Sequence, residues 1–361
     1  MTPPAAGRRI YFPEVRQAVW ERFPLPRPSA LQPDQVLLRA VASAVSAGTE
    51  IAVYSGTHIT YSLSSSQPGQ PRPMSGVPSR PGYAFAGTVE AVGSAVTAVR
   101  PGDRVGCAVG HSDWAVVRET GQDPAKPQRE PSLIHIPDGV TFEQAALGRL
   151  FAIPMVGIRH AEIRLGERVA VFGQGLIGQL AGQLALANGA GTLIAVDLWD
   201  HRLAVAQRHG ATHIVNAERE DAVAAIYEAT DGEGADVVIE ATGHPPVIND
   251  SLRAAALRGR VVLVGSPRGR VDIDPYTDIH KKAVVVIGAH ASAVTQARNY
   301  SDRWTTLENY RLSVELLRQG RLHTEGLISH RVPDDAALGI HAALAARPQE
   351  HLGVLIQWAA A

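Results

Sequence analysis

The sequence predicts an α/β protein, a doubly wound parallel sheet joined to a β-rich domain. Three observations carry that expectation. The chain has 361 residues, more than one ordinary core accommodates, so two domains are expected. From about residue 140, apolar strand and helix segments alternate, and the strands lack polar alternation, as in a parallel sheet covered on both faces. The stretch "VAVFGQGLIGQL" then places a G-x-G-x-x-G turn between one such strand and the next helix.

Composition narrows the partners. With 45% hydrophobic and 19% charged residues the chain reads as a soluble globular protein. A net charge of -1 without a basic stripe argues against nucleic acid. No apolar run reaches the ~18 residues a membrane span needs. The N-terminal "MTPPAAGRRIYFPEV" has no apolar signal core, so a cytoplasmic protein is expected. The single Cys107 excludes an internal disulfide and a multi-cysteine metal cage, and its setting "RVGCAVG" reads as a small buried hydrophobe.

The elements follow in order. Residues 1–60 read as short strands with turns, and 61–82, rich in Ser, Pro and Gly, as a long loop. "YAFAGTVEAVGSAVTAVRPGDRVGCAVG" reads as two apolar segments around Gly93 and the turn "RPGDR"; 120–133 is a second polar loop. "TFEQAALGRLFAIPMVGIRHAEI" has helical spacing, with Ala146, Leu150, Ile153 and Val156 able to share a face. Strands are then expected at "RVAVFG", "TLIAVD", "HIVNA", "ADVVIEAT", "RVVLVGS" and "KKAVVVIGAH". Helices fall at "LIGQLAGQLALANGA", "HRLAVAQRHGA", "DAVAAIYEAT" and "VINDSLRAAAL". A helix over 300–320 and a closing strand "GVLIQW" complete the chain.

The glycine motif sits in the context that gives it meaning. Gly173 permits the tight turn, Gly175 lets the backbone approach a pyrophosphate, and Gly178 lets helix and strand pack closely. Gln174, Leu176 and Ile177 complete a loop whose helix N-terminus offers N–H groups to phosphates. Asp197 ends the next strand, where a carboxylate accepts from the adenosine ribose and repels a 2′-phosphate, favouring NAD over NADP. Arg202 either stacks on the adenosine part or is an ordinary helix arginine. The later strand ends bring Ala241, Thr242, Gly265, Ala289 and His290 to the same edge as candidates for nicotinamide and ribose contacts, with a structural role open for His290.

The segments "AVSAGTE", "PGYAFAGTVEAVG", "RPGDRV", "IPDGVTFEQAAL" and "VAVFGQGLIGQLAGQLA" occur in an order that resembles the medium-chain dehydrogenase/reductase superfamily of alcohol, polyol and threonine dehydrogenases. The resemblance covers nearly the whole chain. It implies a GroES-like catalytic domain over 1–155, a Rossmann NAD-binding domain over 156–295, and a return segment over 296–361 completing the first. It also implies a homodimer or homotetramer, with "KKAVVVIGAH" as the edge that pairs.

Zinc-dependent members carry a cysteine before Gly-Thr, a His-Glu pair after the next glycine, and a third ligand near residue 148. This chain has Ala47, Tyr83 with Ala84, and Gly148 with Arg149 there, and "TGQDPAKPQREPSL" in place of a four-cysteine lobe. Every expected ligand is missing, so no zinc is expected.

The resemblance turns the same positions into candidate site residues. It places the Tyr83 turn facing the nicotinamide, where a hydroxyl would stabilise an alkoxide and move a proton, or merely fill the vacated metal space. Thr49 matches a position whose hydroxyl relays the proton; it also reads as a helix start. His111 is the third catalytic candidate, as the side chain that titrates near neutral pH. Glu50, Tyr54, His58 and Arg149 are candidates for substrate contact, each with a structural alternative, and Arg298, Asn299 and Tyr300 are candidates to reach the cleft.

The expected function is a zinc-independent, NAD-dependent dehydrogenase that oxidises a secondary hydroxyl of a small polar substrate such as a polyol, sugar or cyclitol, or runs the reverse. A quinone or enoyl reductase and a non-catalytic NAD-binding protein are the alternatives.

Overall fold

The computed structural model describes residues 3–60, 72–73, 77–119, 133–291 and 304–359. Most of the two expected loops, over 61–82 and 120–133, and the segment carrying Arg298, Asn299 and Tyr300 lie outside these residues. The chain forms two compact units, Met1–Leu150 with Ile328–Ala361, and Phe151–Leu327.

In the first unit a seven-stranded sheet runs in the order Ile328–Pro333, Gly353–Gln357, Gln35–Ala44, Phe85–Val92, Arg104–Cys107 and Ile134–His135, with Trp114–Arg118 also paired to Gln35–Ala44. All pairings are antiparallel except that of Ile328–Pro333 with Gly353–Gln357. The core buries Val36, Leu38, Phe85, Val105 and Ile356, and Cys107 lies in it as expected. The helix Ala47–Tyr54 follows the long strand Gln35–Ala44 directly.

The second unit holds a six-stranded sheet: β1 Arg168–Phe172, β2 Thr192–Asp197, β3 His213–Asn216, β4 Ala235–Glu240, β5 Ala255–Leu263 and β6 Val285–Gly288. The order is β3-β2-β1-β4-β5-β6 and every pairing is parallel. This is the doubly wound order in which the chain reverses direction between β1 and β4. Val169, Ala170, Val171, Val237, Val238 and Ile239 are fully buried, which is why these strands read as continuous apolar runs. Among the described residues no helix is long and apolar enough to cross a membrane.

Two boundaries differ from the expectation. β5 starts at Ala255, inside the stretch read as helix, because Ala255 pairs with Ala235 before a bulge resets the register at Val237–Arg260. The return to the first unit starts at Ile328 and not at 296. The helix Thr306–Arg318 belongs to the second unit, where the Arg159 Nε–H donates to Asn309 Oδ1 at 3.0 Å and the Arg159 guanidinium stacks 3.6 Å over Trp304.

Candidate functional site

In the first unit, Ser46 stands at the N-cap of the helix Ala47–Tyr54, yet its side chain makes no cap. Glu50 Oε1 accepts from the Ser46 backbone N–H at 2.8 Å, which fixes the Ser46 backbone. The Ser46 hydroxyl meets the Tyr83 hydroxyl in a hydrogen bond. The Tyr83 turn is held across His111: the His111 N–H donates to the Pro81 carbonyl at 3.0 Å. Gly82 has φ +95, and a Cβ on it would lie 2.8 Å from the His111 backbone nitrogen, so only glycine fits. The Arg149 guanidinium lies 5.5 Å from the Tyr83 ring centre. Burial pushes the Tyr83 phenol above its ordinary range; the Ser46 hydroxyl opposes this, the Glu50 charge adds to it, and Arg149 and Thr49 oppose it. Tyr83 is therefore a phenol, a proton donor, at neutral pH.

Glu50 is 3% exposed and shares one oxygen between two imidazoles. His111 Nε2 lies 3.0 Å and His341 Nε2 2.8 Å from Oε2. Partners assign the protons. Trp358 Nε1–H can only donate, and it donates to Ser43 Oγ at 3.0 Å. The Ser43 hydroxyl has its own proton for His111 Nδ1 at 2.8 Å, which leaves Nε2–H to donate to Glu50. His341 Nδ1 is buried without a hydrogen-bond partner. The Glu50 carboxylate only accepts, so His341 Nε2 carries a proton and donates to it. Burial alone would raise the Glu50 carboxyl, but His111 and then His341 outweigh it and hold it well below the usual range.

Several expected substrate contacts change character. Glu50 and His111 are buried with their polar atoms engaged, so neither offers a group to a substrate. Tyr54 is core: its hydroxyl donates to the Arg16 carbonyl at 3.0 Å and its ring meets Phe12. His58 follows the end of the helix, with its backbone N–H on the Ala52 carbonyl. Thr49 is exposed beside Tyr83. Ser46, Ser43, His341 and Trp358 were missed. Ser46 lies in the quoted "AVSAGTE", whereas His341, in "LGIHAAL", gives no local signal.

In the second unit the loop after β1 forms a cradle. Gly173 has φ +88, and a Cβ on Gly178 would lie 1.7 Å from the Gly173 carbonyl oxygen. Gly175 is the uncapped N-terminus of the helix Leu176–Ala187, and a Cβ on it would find only Arg202 Nη1, at 3.8 Å. The open face and the uncapped N–H groups of Leu176 and Ile177 suit a pyrophosphate. Asp197 accepts from the Gln174 N–H at 2.5 Å and from those of Leu198 and Trp199 at 2.8 and 3.0 Å. A carboxylate has about four acceptor positions, so one remains for a ribose hydroxyl. Arg202 lies 4.2 Å over the Trp199 ring. After β4, Ala241 donates to the Phe172 carbonyl, and Thr242 packs its methyl toward Gly173. Glu240 takes the Thr242 and Gly243 N–H groups and the Thr242 hydroxyl on one oxygen. Gly265 and the exposed His290 stand at the ends of β5 and β6. Ala289 is 2% exposed and its N–H donates to the Leu263 carbonyl at 3.0 Å, so neither its side chain nor its N–H is offered to a ligand.

The family described as alcohol dehydrogenase GroES-like domain matches residues 32–137, and the family described as zinc-binding dehydrogenase matches 177–306. The chain belongs to the medium-chain dehydrogenase/reductase superfamily. An L-threonine 3-dehydrogenase of Bacillus licheniformis is 29% identical over 341 residues, covering 88% of this chain and 89% of that protein. A sorbitol dehydrogenase of Bacillus subtilis is 32% identical over 206 residues, 52% of this chain and 58% of that one. The crystal structure of 2R,3R-butanediol dehydrogenase from Bacillus subtilis superposes with a TM-score of 0.75 at 22% identity, covering 97% of this chain and 99% of that chain.

Superfamily membership raises zinc. At the positions the resemblance supplies, Ala47, Ala84 and Gly148 have no ligand atom, Tyr83 is bound to Ser46, and Arg149 is a cation; this set does not fit zinc. Among the described residues Glu50, His111 and His341 are the group of three that could hold a metal, their ligand atoms within 4.8 Å of one another. A metal there would move both imidazole protons to Nδ1, leaving His341 with a buried donor and no partner.

Proposed function

We propose that this protein is an NAD-dependent dehydrogenase that acts, without zinc, on a secondary hydroxyl of a small polar substrate such as a polyol, sugar or cyclitol. The observation that carries the proposal is the Tyr83–Ser46 hydroxyl pair, a proton-handling group standing where zinc-dependent relatives carry a metal ligand. The named relatives, dehydrogenases of threonine and sorbitol, support chemistry at a CH–OH group. The Asp197 carboxylate at the end of β2 supports NAD over NADP.

A bound nicotinamide supplies the two-electron acceptor. Tyr83 hydrogen-bonds the reacting oxygen and moves its proton, and the Ser46 and Thr49 hydroxyls continue the path. The Arg149 guanidinium beside the ring stabilises negative charge on the phenolate. Gly173, Gly175 and Gly178 and the helix N-terminus hold the pyrophosphate, Asp197 the ribose. We also propose a homodimer through the edge strand β6, whose Val285 and Val286 are 53% and 42% exposed.

The test is NADH formation from NAD by chelator-treated protein of measured metal content, across polyols, sugars, cyclitols and secondary alcohols. Turnover by metal-free protein supports the proposal. Activity lost on chelation and restored by zinc would remove its metal-free part. Silence on alcohols with reduction of enones or quinones by NADPH would replace it with a reductase.

A further inference from the structure

We propose that Glu50 is a positioning residue: clamped by His111 and His341, it fixes the Ser46 backbone so that the Ser46 hydroxyl is aimed at Tyr83. The functional meaning of this device rests on Tyr83 handling the proton, as proposed above.

A serine at an N-cap ordinarily accepts from the N2 or N3 backbone N–H with its own hydroxyl. Ser46 does not, and Glu50, four residues on, reaches back to the Ser46 N–H, a donor the serine's own cap would not satisfy. Glu50 is buried, a costly state for a charge unless its oxygens are satisfied. The satisfaction comes from far along the chain, 61 residues away at His111 and 291 at His341. His111 is fixed in turn by Ser43 and Trp358. His341 is held edge-on to Phe12, their ring centres 4.8 Å apart, and beside Tyr54. Two distant segments thus converge on one carboxylate whose other oxygen holds Ser46. The outcome is that Ser46 is held by its backbone with its hydroxyl, which makes no cap, on Tyr83. The charged groups acting on Tyr83 are Glu50 from this helix and Arg149 from the helix Phe142–Ala161; Ser46 and Thr49 complete its polar neighbours.

The test reads Tyr83 directly and needs no turnover. Tyrosinate absorbance is followed against pH in wild type and in Y83F, and the difference isolates Tyr83 from the other tyrosines. The same pair is made on H341L and H341Q, which keep the Glu50 carboxylate; in E50Q the lost charge lowers the Tyr83 titration while a lost Ser46 hydrogen bond raises it, so the two effects oppose. Leucine fills the space beside Phe12 and Tyr54 but gives Glu50 no donor, so the Tyr83 titration moves upward. Glutamine restores a donor and returns it. No movement in H341L overturns the proposal. A shifted titration in a protein that oxidises no alcohol would keep the positioning role and reject the dehydrogenase function; turnover with no shift would do the reverse.

Discussion

The Ser46 and Tyr83 hydroxyls meet in a hydrogen bond, and Glu50 holds the Ser46 backbone N–H from which that serine is presented. Phenol and serine hydroxyl together form a donor-acceptor pair that is neutral at rest. Because Tyr83 is pushed above its ordinary range, first by burial, the pair is set to give a proton more readily than to take one.

Opposite pH dependences in the two directions follow. Ketone reduction needs the phenol and should hold its rate until pH passes the raised Tyr83 value. Alcohol oxidation needs the phenolate and should climb with pH beyond ~10, the ordinary tyrosine value. Y83F should lose roughly 10²–10⁴ in kcat in both directions, the usual worth of positioned proton transfer, with NAD affinity unchanged. Steady-state kinetics across pH in both directions checks this. Equal loss of NAD binding in Y83F would show a packing role.

The sequence made the parallel sheet legible because strands buried on both faces leave uninterrupted apolar runs, and the cofactor loop because Gly173, Gly175 and Gly178 each answer a local steric demand. Tyr83 was legible as a substitution at a position the resemblance defines. The clamp beneath it was not. His341 reaches Glu50 across 291 residues, and no periodicity or spacing encodes that pairing. His111 looked catalytic because histidine titrates near neutral pH, but Ser43 and Glu50 occupy both of its nitrogens. The helix over 247–257 was overextended because alanines satisfy helix and strand alike, and pairing with β4 decided for strand at Ala255.

Two glycines one turn apart should respond differently to alanine. In G178A the new Cβ meets the Gly173 carbonyl oxygen at 1.7 Å, a backbone clash the loop must move to relieve. Thermal stability should fall, and NAD binding with it. Gly175 has φ -63 and open space around its Cβ position, so G175A should leave stability within about 0.5 kcal/mol, as for substitutions away from packed features. Its methyl group nevertheless stands where the pyrophosphate approaches, and NAD affinity should drop at least about tenfold, roughly 1.4 kcal/mol. Differential scanning fluorimetry with and without NAD separates the two. An unchanged NAD affinity in G175A would place the phosphates elsewhere.

Glu50 should make the first unit acid-labile. Its carboxyl lies lower in the folded protein than in the unfolded chain, so its contribution is complete above the unfolded value near ~4.3 and is lost as pH falls below it. Near-ultraviolet circular dichroism during acid titration should show a loss of tertiary structure that E50Q, destabilised already at neutral pH, shows in weaker form. The same acid dependence in E50Q as in wild type would assign the transition to other carboxylates.

The edge of the second sheet should be where copies meet. Among the described residues β6 pairs with β5 alone, and the valines at 285 and 286 are exposed where an unpaired edge would invite association. A lysine at a free edge commonly guards against pairing, but the Lys282 ammonium is folded back onto the Leu252 and Arg253 carbonyls at 3.0 and 2.8 Å. Lys282 is thus withdrawn from this role while Val285 and Val286 stay exposed, which suits cover by a second copy. Light scattering behind size exclusion should give a multiple of 38.4 kDa for wild type. V286E should shift it toward the monomer without changing NAD affinity, since β6 ends away from the glycine loop in the strand order β3-β2-β1-β4-β5-β6. A wild type that runs as a monomer at micromolar concentration would remove the dimer and leave the exposed valines as an aggregation liability.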